Sequence, residues 1–330
     1  MEHSKRFLLM AGASLLTSIG TLGSCSSSGS IKDYEADLEY KEDFKILWLT
    51  DIHYGPYEGA CGSKEEKEIQ FQHIRKMVEL SDTPSLIVFS GDTFRMANET
   101  YVDEFIDFVD LLGFCWAFIF GNHDQEALTD GSYISNKVKA AKHSIFRNPS
   151  GDSITGSSNY YLNLNENGKT LYRILFLDSN SEGPNGGYDV IHEDQLSFVT
   201  KTGSLNDDKA LKLGFIHIPF CEFKDAYDRY SKKLDVGTGS KNEEVCSPYI
   251  NNGAYEVFKN AGFRAFFAGH DHKNDFSVDY HGEMILSYGL KSSNLDYFDP
   301  SFIGFKTIVL PKDSKEFGLG SIHEVFVPYE

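Results

Sequence analysis

Five apolar runs in this chain stop at polar blocks rich in aspartate and histidine, and this recurrence constrains the fold more than any other feature. Lys45 to Thr50 ends at Asp51-Ile-His53, Ser85 to Ser90 at Gly91-Asp92, and Phe114 to Phe120 at Gly121-Asn-His-Asp124. The run that starts at Leu211 ends at His217, and Arg264 to Ala268 ends at Gly269-His-Asp-His272. Short apolar runs closed by glycine turns read as buried strands. Amphipathic helices lie between them. One follows Ser63, whose Ser-x-x-Glu spacing with Glu66 forms a capping box, and it buries Ile74, Met77 and Val78. A second carries Val102, Phe105, Ile106 and Val109 on one face. Strands alternating with helices predict a layered α/β domain, and polar residues at the carboxyl ends of its strands line the ligand crevice.

Alternation along an extended segment puts Asp51 with His53 on one face, and His270 with His272 on another. Imidazole nitrogens with carboxylate and amide oxygens form a ligand set for manganese, iron or zinc, and a set this large suits two divalent ions better than one. His73, His143, His192, His281 and His323 lack such company and read as structural or surface residues.

The remaining chain adds a hairpin, Asn159 to Leu164 and Leu171 to Leu177, and four C-terminal strands: Phe276 to Tyr280, Met284 to Tyr288, Lys306 to Leu310 and Ile322 to Val327. A single domain over residues 44–330 follows, with the polar, glycine-containing stretch 220–252 as a cap or specificity loop. Ahead of it, Lys5 and Arg6 precede a small-residue apolar run too short for a membrane span, so residues 1–24 read as a signal peptide. Leu22-Gly-Ser-Cys25 resembles a bacterial lipobox. It implies an acylated Cys25, a flexible tether over 25–43, and an exported protein anchored to the membrane surface by lipid. The other four cysteines include no Cys-x-x-Cys pair, which argues against a cysteine zinc site. Spacing leaves a Cys221–Cys246 disulfide open.

Charge narrows the partners. With 49 acidic and 31 basic residues the formal net charge is -18, which disfavours long nucleic acids. An anionic substrate therefore needs a local positive centre, and two divalent ions would bring about +4 to the crevice.

In order and spacing the five blocks resemble those of the calcineurin-like metallophosphoesterase superfamily, from Leu47 to His272. His217-Ile-Pro219 followed by Glu222, with Gly269-His-Asp-His-Lys-Asn-Asp275, is similar to the small atypical purple-acid-phosphatase branch of plants and fungi. The resemblance implies a four-layer αββα sandwich with a dimetal site at one edge. One ion would be held by Asp51, His53, Asp92 and His272, the other by Asp92, Asn122, His217 and His270, with Asp92 shared. His123 would serve as general acid or transition-state stabiliser, with Asp124 orienting its ring. Purple enzymes carry a metal-binding tyrosine three residues after the shared aspartate. This chain has Arg95 there, so the purple chromophore is not expected and His53 takes up the coordination. Arg95 is then a candidate for phosphate contact or for a structural ion pair, and Glu222 for contact with substrate or orientation of His217.

The implied activity is hydrolysis of phosphomonoesters, small esters or phosphoproteins, by a water shared between the two ions. A phosphodiesterase acting on small diesters, cyclic nucleotides or nucleic acid is the alternative. A non-catalytic surface-binding lipoprotein is the third reading.

Overall fold

The apolar runs become strands, with the ends trimmed by a residue or two. In a computed structural model that describes residues 30–128, 130–149, 154–184, 186–203 and 209–329, the chain begins with β1 (Glu35–Glu39), β2 (Phe44–Leu49), α1 (Lys64–Leu80), β3 (Leu86–Ser90), α2 (Glu99–Leu111), β4 (Trp116–Ile119) and α3 (Ser132–Ala140). It continues with β5 (Tyr160–Glu166), β6 (Lys169–Phe176), α4 (Glu193–Gly203), β7 (Leu211–Phe215), α5 (Glu222–Ser231), β8 (Val236–Thr238) and α6 (Ala254–Asn260). The C-terminal strands are β9 (Phe263–Ala268), β10 (Ser277–Tyr280), β11 (Met284–Tyr288), β12 (Gly304–Leu310) and β13 (Ile322–Phe326). The expected signal peptide and Cys25 lie outside the described residues.

Local chemistry sets the helix starts. Ser63 Oγ accepts from Glu66 N at 3.1 Å while Glu66 Oε2 accepts from Ser63 N at 2.8 Å, so the capping box forms as read. Asn98 caps α2 by accepting from the backbone of Thr100 and Tyr101.

Two sheets result. The larger has strand order β1-β5-β6-β7-β9-β11-β10-β8 and the smaller β13-β12-β2-β3-β4. Strands β2, β3 and β4 run parallel, as do β6, β7, β9 and β11. Strands β3 and β4 are buried on both faces, as parallel strands covered by a layer on each side must be. Aromatic contacts trace the layers in order. Phe105 of α2 meets Phe89 of β3 edge to face at 5.7 Å, Trp48 of β2 meets Phe215 of β7 at 5.7 Å and Phe267 of β9 at 5.3 Å, and Phe258 of α6 stacks on Phe266 of β9 at 4.2 Å. That sequence, helix to sheet to sheet to helix, is the αββα sandwich.

Two expectations about the chain's organisation need correcting. Residues 35–39 belong to no tether: β1 pairs in parallel with β5, and Tyr34 packs on Phe198 at 5.1 Å. Glu35 and Asp37 make the segment look solvated, yet their carboxylates accept from the amides of Asn163 and Asn165. The stretch 220–252 is also less open than a loop. Its first third is α5, which buries Phe223 and Ala226 and packs on β10, a stripe hidden among charged residues. Cys221 and Cys246 are both free thiols.

The C-terminal end is fastened over α1. The Tyr329 ring stacks on His73 at 3.8 Å and its hydroxyl donates to Gln70 Oε1 at 2.6 Å. Burial, then Lys76, lowers the His73 pKa to about 4 from an ordinary 6.5. A group that binds its proton less readily when folded contributes stability above its unfolded pKa and loses it as pH falls through the folded one. His73→Phe keeps the ring stack and removes the titration. In urea melts, wild type is expected to lose stability between pH 6.5 and about 4 more steeply than His73→Phe, and parallel profiles would remove His73 as the cause.

Candidate dimetal centre

The carboxyl ends of β2, β3 and β4 in the small sheet converge on those of β7 and β9 in the large one. Strand β2 delivers Asp51 and His53, β3 delivers Asp92, β4 delivers Asn122 and His123, β7 delivers His217, and β9 delivers His270 and His272. Asp51, His53, Asp92 and His270 all adopt left-handed backbone, with φ of 56°, 54°, 46° and 80°. Such conformations cost non-glycine residues roughly 1–3 kcal/mol each and gather where function holds them in place. Glycine is required beside them. A Cβ on Gly91, at φ +98°, would fall 2.4 Å from the His217 ring, and one on Gly269 would fall 2.1 Å from Thr50 Oγ1 and 2.7 Å from Asp51 Oδ2.

The donors form two adjacent buried groups, Asp51 with His53 and His272, and Asp92 with His217 and His270. Within each group the ligand atoms lie within 4.8 Å of one another. Asp92 Oδ2 connects them: it lies 3.1 Å from His217 Nε2 and 3.7 Å from His53 Nε2. Asp51 Oδ1 is 3.4 Å from His272 Nε2 and 3.9 Å from His217 Nε2. Tautomers follow from the outer partners. His272 Nδ1 donates to the Tyr297 carbonyl at 2.7 Å and His217 Nδ1 to the Ser90 carbonyl at 2.9 Å, so each presents Nε2 to the centre.

These residues fit metal ions on the evidence of their unpaired atoms. Asn122 Oδ1, His217 Nε2 and His270 Nε2 are buried without a hydrogen-bond partner, and His53 Nε2 faces His272 Nε2 at 3.0 Å. Asn122 Oδ1 is a buried acceptor with no donor opposite it, and a cation among these atoms would satisfy it together with the facing imidazoles. The carboxylates make the same demand. Burial, the largest influence, opposes charge on His217, yet Asp92 and then Asp51 raise its pKa to about 10. Burial, then the charge on His217, holds His270 down at about 3, and burial depresses His53 strongly, so both stay as neutral imidazoles of the kind that bind metals. Over the centre lies a cavity of about 170 Å³ bordered by Arg95, His123, Tyr188, Asp296 and Tyr297.

All nine residues of the strand-end blocks come to this end of the fold, but two role expectations fail and one is decided. Asp124 does not touch the His123 imidazole. Its Oδ1 accepts from Phe94 N at 2.7 Å and its Oδ2 from Gly121 N at 2.6 Å, a clamp between the two loops. Burial, then the Asp92 charge, pushes its pKa well up. Glu126 meets the ring instead, with Oε1 at 2.5 Å from His123 Nδ1. Glu222 lies outside the cavity, where its carboxylate accepts from Asn251 Nδ2 at 2.7 Å; at His217 the Ser90 carbonyl occupies the orienting position. Arg95 borders the cavity as an ion-paired residue, with Nη1 3.3 Å from Asp296 Oδ2, Nε 3.6 Å from Glu126 Oε2, and the guanidinium 4.2 Å above the Tyr57 ring.

Sequence reasoning missed Glu126, Asp296 and Lys291. Glu126 had a visible signal, three residues beyond His123. Lys291 and Asp296 had none, because they arrive on the loop after β11, where Lys291 Nζ donates to the Asp51 carbonyl at 3.0 Å and Asp296 Oδ2 lies 3.8 Å from His53 Nδ1.

Comparison with known proteins agrees with this geometry. A family model described as calcineurin-like phosphoesterase matches residues 44–274. "Probable inactive purple acid phosphatase 14" of Arabidopsis thaliana is 26% identical over 328 residues, which cover 86% of this chain and 79% of that protein. "Phosphatase DCR2" of Saccharomyces cerevisiae is 25% identical over 263 residues, 71% of this chain but 45% of the yeast protein. A solved structure of a dimetal phosphatase from Danio rerio shares the fold, with a TM-score of 0.58 at 14% identity, covering 83% of this chain and 94% of that one. The chain belongs to the calcineurin-like phosphoesterase family.

Proposed function

We propose that the protein hydrolyses phosphomonoesters with two divalent metal ions. The observation that carries this reading is the Asp92 carboxylate, set between two buried donor groups with His123 Nε2 3.9 Å from its Oδ2. Two bound cations would polarise the phosphoryl oxygens and lower the pKa of a bound water to about 7. The chain's residues supply the rest. Asp51, His53 and His272 would hold one ion, His217, His270 and Asn122 the other, and Asp92 would serve both. Glu126 at Nδ1 fixes the His123 ring with Nε2 towards the centre, so His123 can pass the Nε2 proton to the departing alkoxide. Arg95 lies between Glu126 and Asp296 and offsets part of their negative charge at the cavity wall.

Monoester preference is supported by the small size of the cavity, about 170 Å³, which Tyr188 and Tyr297 help to line. The Arabidopsis relative's name includes "inactive"; this chain retains every donor of both groups. Export and lipid anchoring through Cys25 remain part of the proposal, supported by the Lys5-Arg6 leader and the Leu22-Gly-Ser-Cys25 string.

The deciding assay uses metal-reconstituted protein on 4-nitrophenyl phosphate and bis(4-nitrophenyl) phosphate. Faster turnover of the monoester is expected. Faster turnover of the diester moves the protein to the phosphodiesterases, and two bound metal equivalents without turnover of either return the non-catalytic reading.

A further inference from the structure

A second cavity, of about 270 Å³, abuts the metal cavity. Two pairs of consecutive residues form the shared ridge: Asn122 lines the second cavity and His123 the first, and Asp189 lines the second and Tyr188 the first. His123, the proposed proton donor to the leaving oxygen, thus stands where the two meet. A phosphoryl group held in the first cavity with its ester oxygen at His123 would direct its alcohol across this ridge.

The lining of the second cavity is polar and organised. Gln125, Ser157, Asn180 and Glu182 contribute amide, hydroxyl and carboxylate groups. Buried Asp178 fixes the floor, with Oδ2 accepting from Ser157 N at 2.7 Å and Oδ1 from Asn180 N at 2.9 Å. Asn180 Nδ2 is committed to the Val190 carbonyl and Gln195 Oε1, which leaves its Oδ1 as an acceptor. Among the described residues no lysine, arginine or histidine lines this cavity, while Asp178, Glu182 and Asp189 do. A second phosphate there would meet Asp178, Glu182 and Asp189, of which Asp189 alone has a basic side chain at its carboxylate, His192 Nε2 at 2.8 Å. An apolar or aryl group would leave the amides and hydroxyls desolvated and unpaired. A neutral alcohol with several hydroxyls satisfies both constraints, since each hydroxyl can donate to an acceptor and accept from a donor.

We infer that this cavity is a leaving-group subsite for polyhydroxylated, uncharged alcohols, so that the substrate class is the monophosphates of sugars or polyols. The inference rests on the phosphomonoesterase reading. It predicts selectivity within monoesters, which that reading alone does not.

The test uses the full-length protein with both metals confirmed by elemental analysis, and glucose 6-phosphate, phenyl phosphate and fructose 1,6-bisphosphate as probes. The expected kcat/KM for glucose 6-phosphate exceeds that for phenyl phosphate and for the bisphosphate, each by about tenfold or more. Gln125→Leu is expected to reduce the glucose 6-phosphate to phenyl phosphate ratio about tenfold, and Glu182→Lys to shift preference towards the bisphosphate. A wild type that prefers phenyl phosphate, or ratios that move in neither variant while metal content is retained, overturns the subsite. If no monoester is turned over, the catalytic reading fails separately and calorimetry decides the subsite. Tighter binding of glucose 6-phosphate than of inorganic phosphate, lost in Gln125→Leu, sustains it, and equal dissociation constants overturn it.

Discussion

Asp92→Asn is expected to reduce phosphomonoester turnover more than about a hundredfold and to lower bound metal below two equivalents per chain. The magnitude follows from position: losing an outer partner of a metal ligand commonly costs about 10–100-fold, and Asp92 itself faces both donor groups. Asparagine has nearly the same volume and can still accept from His123 N, which Asp92 Oδ1 does at 2.9 Å. What disappears is the negative charge at Oδ2, the atom 3.1 Å from His217 and 3.7 Å from His53. Thermal melts separate this loss from a folding defect. Ligand bound only by the native state stabilises it, by about 2.7 kcal/mol at a hundred times the dissociation constant. A chelator should therefore lower the wild-type melting temperature and change that of Asp92→Asn much less. Without metal the variant should be less stable than wild type, because buried His217, whose pKa Asp92 raises to about 10, loses the carboxylate 3.1 Å from its Nε2. Two metal equivalents with turnover within a few-fold of wild type would show that Asp92 does not span the centre.

The sequence exposes the centre because metal chemistry restricts residue types. Only His, Asp, Asn and a few others can be ligands, and each of the five strand ends carries such a residue, three of them (Asp92, Asn122 and His270) directly after a glycine. Gly91 and Gly269 are legible for the same reason: they stand where a side chain would strike His217 or Thr50. The groups around the ligands are less constrained, since any carboxylate or carbonyl can orient an imidazole. That is why Glu126 holds His123 where Asp124 was expected, and why a backbone carbonyl, that of Ser90, holds His217 where Glu222 was considered. Short elements escape for a different reason. In β1 acidic residues are satisfied by neighbouring asparagines, and in α6 three buried side chains, Ala254, Tyr255 and Phe258, are too few to establish a helical period. In both cases tertiary contacts supply what the local pattern lacks.

His123→Ala is expected to lower kcat on alkyl phosphates by about a hundredfold to ten-thousandfold, the usual worth of a positioned general acid, and by much less on 4-nitrophenyl phosphate. An alkoxide needs a proton to depart, whereas 4-nitrophenolate leaves readily without one. The same comparison distinguishes the two carboxylates near the ring. Glu126 touches His123 Nδ1, so Glu126→Gln should reproduce part of the alkyl-specific defect, with the melting temperature little changed because glutamine keeps the volume and Arg95 keeps Asp296 as an ion-pair partner. Asp124 accepts from two backbone N–H groups, of Phe94 and Gly121. Asparagine offers only one oxygen, so one N–H then faces an amide NH₂ and about 1–3 kcal/mol of stability is lost. Asp124→Asn should accordingly lower the melting temperature and affect alkyl and nitrophenyl esters alike. If Asp124→Asn instead produces the alkyl-specific defect and Glu126→Gln does not, the ring is oriented by Asp124 during turnover, and the Glu126 contact has no part in the proton transfer.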